Sequence, residues 1–130
     1  MATSPAFTAT PRLGIATLSA ANTARDGSGT IVDVFSAGAT GSRVEHIDLV
    51  ARGTTTAGVL RLWIHNGTAY SLWREILVSA ITPSTSVAVW SSSVDCSTLA
   101  KLLVLPTGHK LCASTHNAEA FNVVAVGGDF

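Results

Sequence analysis

Residues 59–80, VLRLWIHNGTAYSLWREILVSA, decide the fold of this chain, because two apolar runs flank an Asn-Gly pair within them. Short runs that are rich in β-branched and aromatic residues are typical of strands. Asn-Gly between two such runs is a strong signal for a tight reversal of the chain. We therefore predict an antiparallel β-hairpin whose turn contains Asn66 and Gly67.

The loop length of this hairpin determines which side chains lie opposite one another. A two-residue loop sets Leu62 opposite Ser71, whereas a three-residue loop, His65-Asn66-Gly67, sets Leu62 opposite Tyr70. The second register pairs apolar residues with one another, so we predict it, with Gly67 in the left-handed conformation. The buried face of the hairpin would then consist of Leu60, Leu62, Ile64, Tyr70 and Leu72.

The same register places Arg61, Trp63 and Trp73 on the opposite face of the hairpin. An outward face normally carries polar side chains, so a face with two tryptophans lies under another sheet or contacts another molecule. We therefore regard Arg61, Trp63 and Trp73 as interface candidates.

The rest of the chain repeats the same alternation of short apolar runs and turns. Clusters of Gly, Ser, Asp and Thr recur about every 8–12 residues, a spacing typical of β-sandwiches and barrels. We predict an all-β fold, a single antiparallel β-sandwich of jelly-roll-like form with about eight strands, over residues 13–130. Residues 95–102 could form a single helical turn.

The first twelve residues lack this periodicity. Small residues predominate there, and Pro5 and Pro11 each lack the backbone donor that a central strand needs. We predict that residues 1–12 form a flexible, extended arm that either attaches the protein to a partner or straps neighbouring subunits together. The interface candidates in this arm are Pro5, Phe7, Pro11 and Arg12.

The composition restricts the classes of partner. Of the 130 residues 47% are hydrophobic and only 12% are charged, and eight basic residues balance eight acidic ones. Nucleic-acid binding requires clustered positive charge, so nucleic acid is not an expected partner. A chain with so little charge needs cover for its apolar surface, which predicts a homo-oligomer.

The sequence also bears on location. No uncharged apolar stretch is long enough to span a bilayer, and no secretion signal is recognisable, so we expect synthesis in a cytoplasm and no membrane partner. Under reducing conditions Cys96 and Cys112 are expected to be free thiols.

Several residues could in principle carry chemistry. His109, Cys112 and His116 suggest a metal site, but on a strand and an adjoining turn their side chains do not converge. Carboxylates that could act as a glycosidase pair are explained equally well by salt bridges to arginine. No phosphate-binding or nucleophile motif is present. We predict no catalytic residue, no metal and no cofactor, and hence a protein that is not an enzyme.

Two long stretches, residues 22–84 and 105–130, resemble a family of small proteins encoded among the virion genes of tailed bacteriophages. The resemblance covers roughly residues 10–130. Its most specific marks are Arg25-Asp26-Gly27, Gly41-Ser42-Arg43, the RLWIHNG segment at 61–67, Pro106 with Gly108, and the closing Gly-Gly-Asp-Phe at 127–130.

This resemblance implies a structural virion component. The expected role is a decoration (cement) protein that binds the major capsid protein on the outer head surface as a β-sandwich homotrimer. The alternative is a tail- or fibre-associated module that binds carbohydrate or a receptor, in which Trp63, Tyr70, Trp73 or Trp90 would stack on the ligand.

Overall fold

A computed structural model describes residues 10–98 and 101–130 of the chain. Nine antiparallel strands form two sheets. The strands are β1 (Thr10–Leu18), β2 (Val32–Ser36), β3 (Ser42–Ala51), β4 (Gly58–His65), β5 (Tyr70–Val78), β6 (Ser91–Asp95), β7 (Leu103–Leu105), β8 (Lys110–Thr115) and β9 (Phe121–Asp129).

The first sheet has the strand order β1-β9-β3-β6, and the short strand β7 also pairs with β3. The second sheet has the order β2-β8-β4-β5. When β7 is set aside, the chain crosses between the sheets in the sequence of a jelly roll. The predicted all-β sandwich is therefore confirmed. The helical turn predicted at 95–102 includes residues 99–100, which lie outside the described residues.

The hydrophobic core lies between the two sheets. In β3, Val44, Ile47 and Leu49 are fully buried, and the pairing of β3 with β9 shifts by one residue between Val44 and His46. Trp90 and Phe121 close one end of the core with an edge-to-face ring contact, their centroids 5.8 Å apart. Among the described residues, no helix is long and apolar enough to cross a membrane.

Strand β1 begins at Thr10, so residues 10–12 belong to the sandwich and not to the predicted arm. Pro11 is tolerated because β1 is an edge strand, opposite Gly128 of β9. Arg12 is fixed by a 2.7 Å ion pair with Asp129, and its guanidinium lies 4.6 Å from the centre of the Phe35 ring. The rest of the arm, with Pro5 and Phe7, lies outside the described residues.

The predicted register of the β4–β5 hairpin is wrong. His65 pairs with Tyr70 across a four-residue loop, and a shift beside Trp63 sets Leu62 opposite Arg74. The side chain of Asn66 favours the longer loop, because its Oδ1 accepts hydrogen bonds from the amides of residues 68 and 69, both at 2.9 Å. The positive φ predicted for Gly67 is confirmed, at 94°.

The shifted register also changes the predicted faces. Leu60 and Leu62 are fully buried as predicted, but Leu72 is 38% exposed. Arg61 and Trp63 are both fully buried on the other face of β4. Strand β4 is thus buried on both faces, which is typical of a central strand that is covered from both sides.

Arg61 on the outer face of β4 bonds to the segment that connects β1 to β2, residues 19–31, which we call the clasp. Within it Asn22 donates its backbone N–H to the Thr115 carbonyl of β8 at 2.8 Å. Further along, Gly27 lies against Tyr70 with a positive φ of 92°. The clasp therefore passes over the outer face of the second sheet between these two points.

Candidate functional site

The densest group of polar side chains surrounds Arg61 beneath the clasp. Its Nε donates to Glu75 at 2.8 Å, its Nη1 to the Asn22 carbonyl at 3.0 Å, and its Nη2 contacts Nδ1 of His116 at 3.2 Å. A guanidinium has only donors, so Nδ1 of His116 must accept this hydrogen bond. The fully buried charge thus has an acceptor on each of its three nitrogens.

Glu75 connects this buried group to the surface. Its side chain is 31% exposed and also accepts a 2.7 Å hydrogen bond from Arg25 of the clasp. The hydrogen bond from Arg25, together with the second from Arg61, holds the pKa of the Glu75 carboxyl below its ordinary value. Two arginines of different burial therefore share one carboxylate, and their shared bonds fasten the clasp to the sheet.

The tryptophans occupy three different environments. Trp63 is fully buried, with its Nε1 donating to the Ser114 hydroxyl at 2.9 Å, and Trp90 is only 6% exposed. Trp73 is half-buried at the edge of the second sheet. Of the interface candidates in the hairpin, Arg61 and Trp63 are fully buried within the chain, and Arg61 is bonded to the clasp.

Trp73 lines a groove of about 430 Å³ between β5 and β6, where the sandwich is open. The guanidinium of Arg74 lies 4.7 Å from the centre of its ring, so this cation already occupies one face of the indole. Asp95 and Lys101 line the same groove. In this groove a half-buried tryptophan therefore lies beside charged side chains.

The cysteines do not form a reactive site. Cys96 and Cys112 are both free and buried. Burial, with a 3.4 Å hydrogen bond to Asp33, raises the pKa of the Cys112 thiol to about 12. Such a thiol is protonated at neutral pH and is a poor nucleophile and a poor metal ligand.

The histidines and carboxylates are equally dispersed. Within residues 10–98 and 101–130, no three His, Cys, Asp or Glu side chains are close enough together to hold a metal ion. Each carboxylate that could have served as a glycosidase residue has a cationic or imidazole partner instead. The pairs are Asp33–Lys110, Glu45–Arg43, Asp48–His46 and Glu75 with Arg25 and Arg61.

The outer face of the first sheet differs from that of the second. Leu13 and Ile15 of β1 are 59% and 63% exposed, and Val126 of β9 is 42% exposed beside the half-buried Val124. The register sets Leu13 opposite Val126 and Ile15 opposite Val124. These four residues, which we call the apolar face, form a contiguous exposed patch.

The sequence contains a signal for this face that its interpretation missed. Val123, Val124, Ala125 and Val126 are four consecutive apolar residues, and a continuous apolar run is typical of a strand with apolar surroundings on both sides. The clasp has no comparable signal, because its Asp-Gly-Ser-Gly sequence is also typical of an ordinary turn.

Comparison with known proteins gave no assignment, since no protein-family model and no curated protein sequence matches this chain.

Proposed function

We propose that the protein is a structural component of a tailed-bacteriophage virion, a decoration (cement) protein that binds the outer surface of the head. In this role it is made in the host cytoplasm, assembles as a homotrimer and contacts the major capsid protein. The resemblance of residues 10–130 to virion proteins supports the proposal, and the jelly-roll sandwich is a fold that suits capsid surfaces.

The single observation that carries the proposal is the full burial of Arg61 and Trp63, the charged and aromatic residues of β4. Arg61 and Trp63 make their polar contacts within the chain, and the hydrogen bond from Arg61 to the Asn22 carbonyl holds the clasp in place. A binding or catalytic module would keep such groups open to a ligand. A cement protein instead requires a rigid body that presents its outer surfaces to neighbours.

Charge supports the same role. The formal net charge is zero, and charged groups of both signs are joined in ion pairs across the surface. Neutral surfaces do not attract nucleic acid, but they can lie side by side at high density on a lattice without mutual repulsion.

The test is binding of the purified protein to phage heads that lack it. The full chain should co-sediment with expanded heads up to a saturating ratio and raise the temperature at which the heads disrupt. Heads stripped by protease of their exposed surface loops provide the control and should bind less. If the protein stays in the supernatant with intact heads at tens of micromolar, the proposal fails.

The groove beside Trp73 favours one second candidate, a tail- or fibre-associated module that binds carbohydrate or a receptor. A half-exposed indole beside Asp95 and Lys101 is the kind of surface on which a sugar ring stacks. Because Trp63 and Trp90 are buried, quenching by acrylamide reports mainly on Trp73. Protection of Trp73 from quenching by a host glycan, lost in Asp95→Ala, which keeps the tryptophan, would favour this candidate.

A further inference from the structure

We propose that a pocket on the outer face of the second sheet binds a small aliphatic carboxylate. A decoration role requires no such ligand, so this site goes beyond the proposed function. The pocket has a volume of about 570 Å³ and lies between Arg25 of the clasp, the start of β4, the end of β5, and His116 after β8. Pockets that bind small molecules typically have volumes of about 300 to 1,000 Å³.

The strand register places this pocket directly beside the Arg61 group. Arg61 lies opposite Glu75, and two residues earlier in β4 Val59 lies opposite Leu77. On the other side of β4, His116 donates its backbone N–H to the Val59 carbonyl at 3.0 Å. Because alternate residues of a strand share a face, Val59 and Leu77 lie on the same outer face as Arg61 and Glu75.

The floor of the pocket is apolar. Val59 is half-buried, and Leu77 is 81% exposed, more than any other large hydrophobic residue that the structure describes. Both residues line the pocket. An exposed leucine in a concave surface offers apolar area that an aliphatic chain can cover, and the burial of that area favours binding.

Two hydrogen-bond donors stand at the wall of the pocket. Nδ1 of His116 accepts the bond from the buried Arg61, so the neutral imidazole carries its proton on Nε2, which is therefore a donor. Arg25 bonds to Glu75 through its Nε alone. Within residues 10–98 and 101–130, Nε2 of His116 and the two terminal nitrogens of Arg25 have no hydrogen-bond partner.

The charge at this wall favours an anion. Arg25 and Arg61 share one carboxylate, that of Glu75, so the three side chains together retain one positive charge. None of the residues that line the pocket is acidic. The carboxylates of Asp26 and Glu119, on neighbouring segments, accept hydrogen bonds from residues outside the pocket.

A carboxylate on an aliphatic chain satisfies both the wall and the floor. The terminal nitrogens of an arginine form a fork that matches the two oxygens of a carboxylate. Inorganic phosphate could bind the same nitrogens of Arg25 but would leave the apolar side chains of Val59 and Leu77 in water. A neutral aliphatic molecule would cover those side chains but would leave the charge of Arg25 without a partner.

The test is a titration of the full chain with octanoate, followed by NMR of the amide and methyl groups. We expect saturable shifts at Val59, Leu77 and His116, with a dissociation constant below about 1 mM, an affinity in keeping with about ten non-hydrogen atoms. Octanamide, the neutral analogue of the same length, should bind about tenfold more weakly, because it cannot form the charged pair with Arg25. This comparison uses the natural protein and needs no variant.

Three variants locate the site. Leu77→Ser should weaken octanoate binding at least about fivefold through the loss of apolar floor. Leu13→Ser is the matched control, since Leu13 is also more than half exposed but lies on the first sheet, and its affinity for octanoate should be unchanged. Arg25→Gln should abolish the preference for octanoate over octanamide. A thermal unfolding scan shows that each variant is folded.

Equal affinity for octanoate and octanamide, shifts centred on Leu13 or Trp73, or no saturable binding below about 1 mM would overturn the proposal. Shifts at the pocket when the protein alone is concentrated would show that a second copy fills it, and would overturn the proposal as well. None of these results bears on the proposed function, because head binding is measured separately.

Discussion

At Arg61 a full positive charge is held out of contact with water by the acceptors on Glu75, Asn22 and His116. Moving a guanidinium out of water is strongly unfavourable, and only well-placed acceptors offset that penalty. Arg25 contacts the same carboxylate but is 63% exposed, so water screens its interaction with Glu75. The two arginines should therefore differ in their effect on stability.

We predict that Glu75→Gln lowers the free energy of unfolding by about 2 kcal/mol, because it leaves the buried Arg61 charge without its carboxylate. Arg25→Ala should lower it by less than about 1 kcal/mol, since that charge is solvated. Urea titration of the two variants measures the difference. Equal effects of the two substitutions would show that the buried guanidinium does not depend on Glu75.

The thiols give a second prediction at the residue scale. Burial raises the pKa of the Cys96 thiol. Burial together with Asp33 raises the pKa of the Cys112 thiol to about 12, so the thiolate population of Cys112 at pH 8 is small. We expect Ellman's reagent to leave both cysteines unmodified in the folded protein and to titrate both in denaturant. Rapid modification of the native protein at pH 8 would contradict the described burial.

At the scale of elements, the turn spacing of the sequence was sufficient to predict a jelly-roll-like sandwich. It was insufficient to predict the register of the β4–β5 hairpin, because two local features act against the apolar pairing rule. Asn66 favours a four-residue loop through its side-chain hydrogen bonds, and the shift beside Trp63 then moves Leu62 opposite Arg74. Neither feature changes the apolar pattern, so periodicity could not reveal them.

The candidate site could likewise be predicted from the sequence only in part. Arg61 and Trp63 are unusual for an outward face, which predicts either cover by another sheet or contact with another molecule. The structure is close to the first arrangement, because both residues are buried within the chain. The covering layer is the clasp, whose position depends on contacts across the sequence such as that of Asn22 with Thr115. Long-range contacts of this kind leave no periodic pattern in the sequence.

Strand β1 approaches β2 closely at Gly14, where an added Cβ would overlap the carbonyl oxygen of Val34. We predict that Gly14→Ala lowers the free energy of unfolding by about 3 kcal/mol, because backbone and not a flexible side chain must move. Gly53→Ala is the control, since nothing lies within 4 Å of a Cβ built there. It should change stability by less than about 0.5 kcal/mol.

Because β1 begins at Thr10, the prediction for the arm now concerns residues 2–9. Deleting residues 2–9 should change the urea midpoint little while weakening binding to heads, if these residues attach the protein to the capsid. Deleting residues 2–12 also removes Arg12, with its ion pair to Asp129 and its contact with Phe35, and should lower the midpoint clearly. Loss of stability in the shorter deletion would assign residues 2–9 to the folded body.

At the scale of the whole molecule, the two sheets have different outer surfaces. The second sheet is covered by its own chain, and its polar group beneath the clasp is satisfied internally. The first sheet leaves Leu13 and Ile15 exposed on a face without charge along β1 and β9.

Electron cryo-microscopy of the phage virion in which we propose that this chain lies tests the central claim most directly. We predict nine-stranded sandwiches on the outer surface of the head in threefold groups. The Arg61–Glu75 pair should remain enclosed beneath the clasp. Sandwiches at the tip of a tail fibre with a ligand beside Trp73 would contradict this claim.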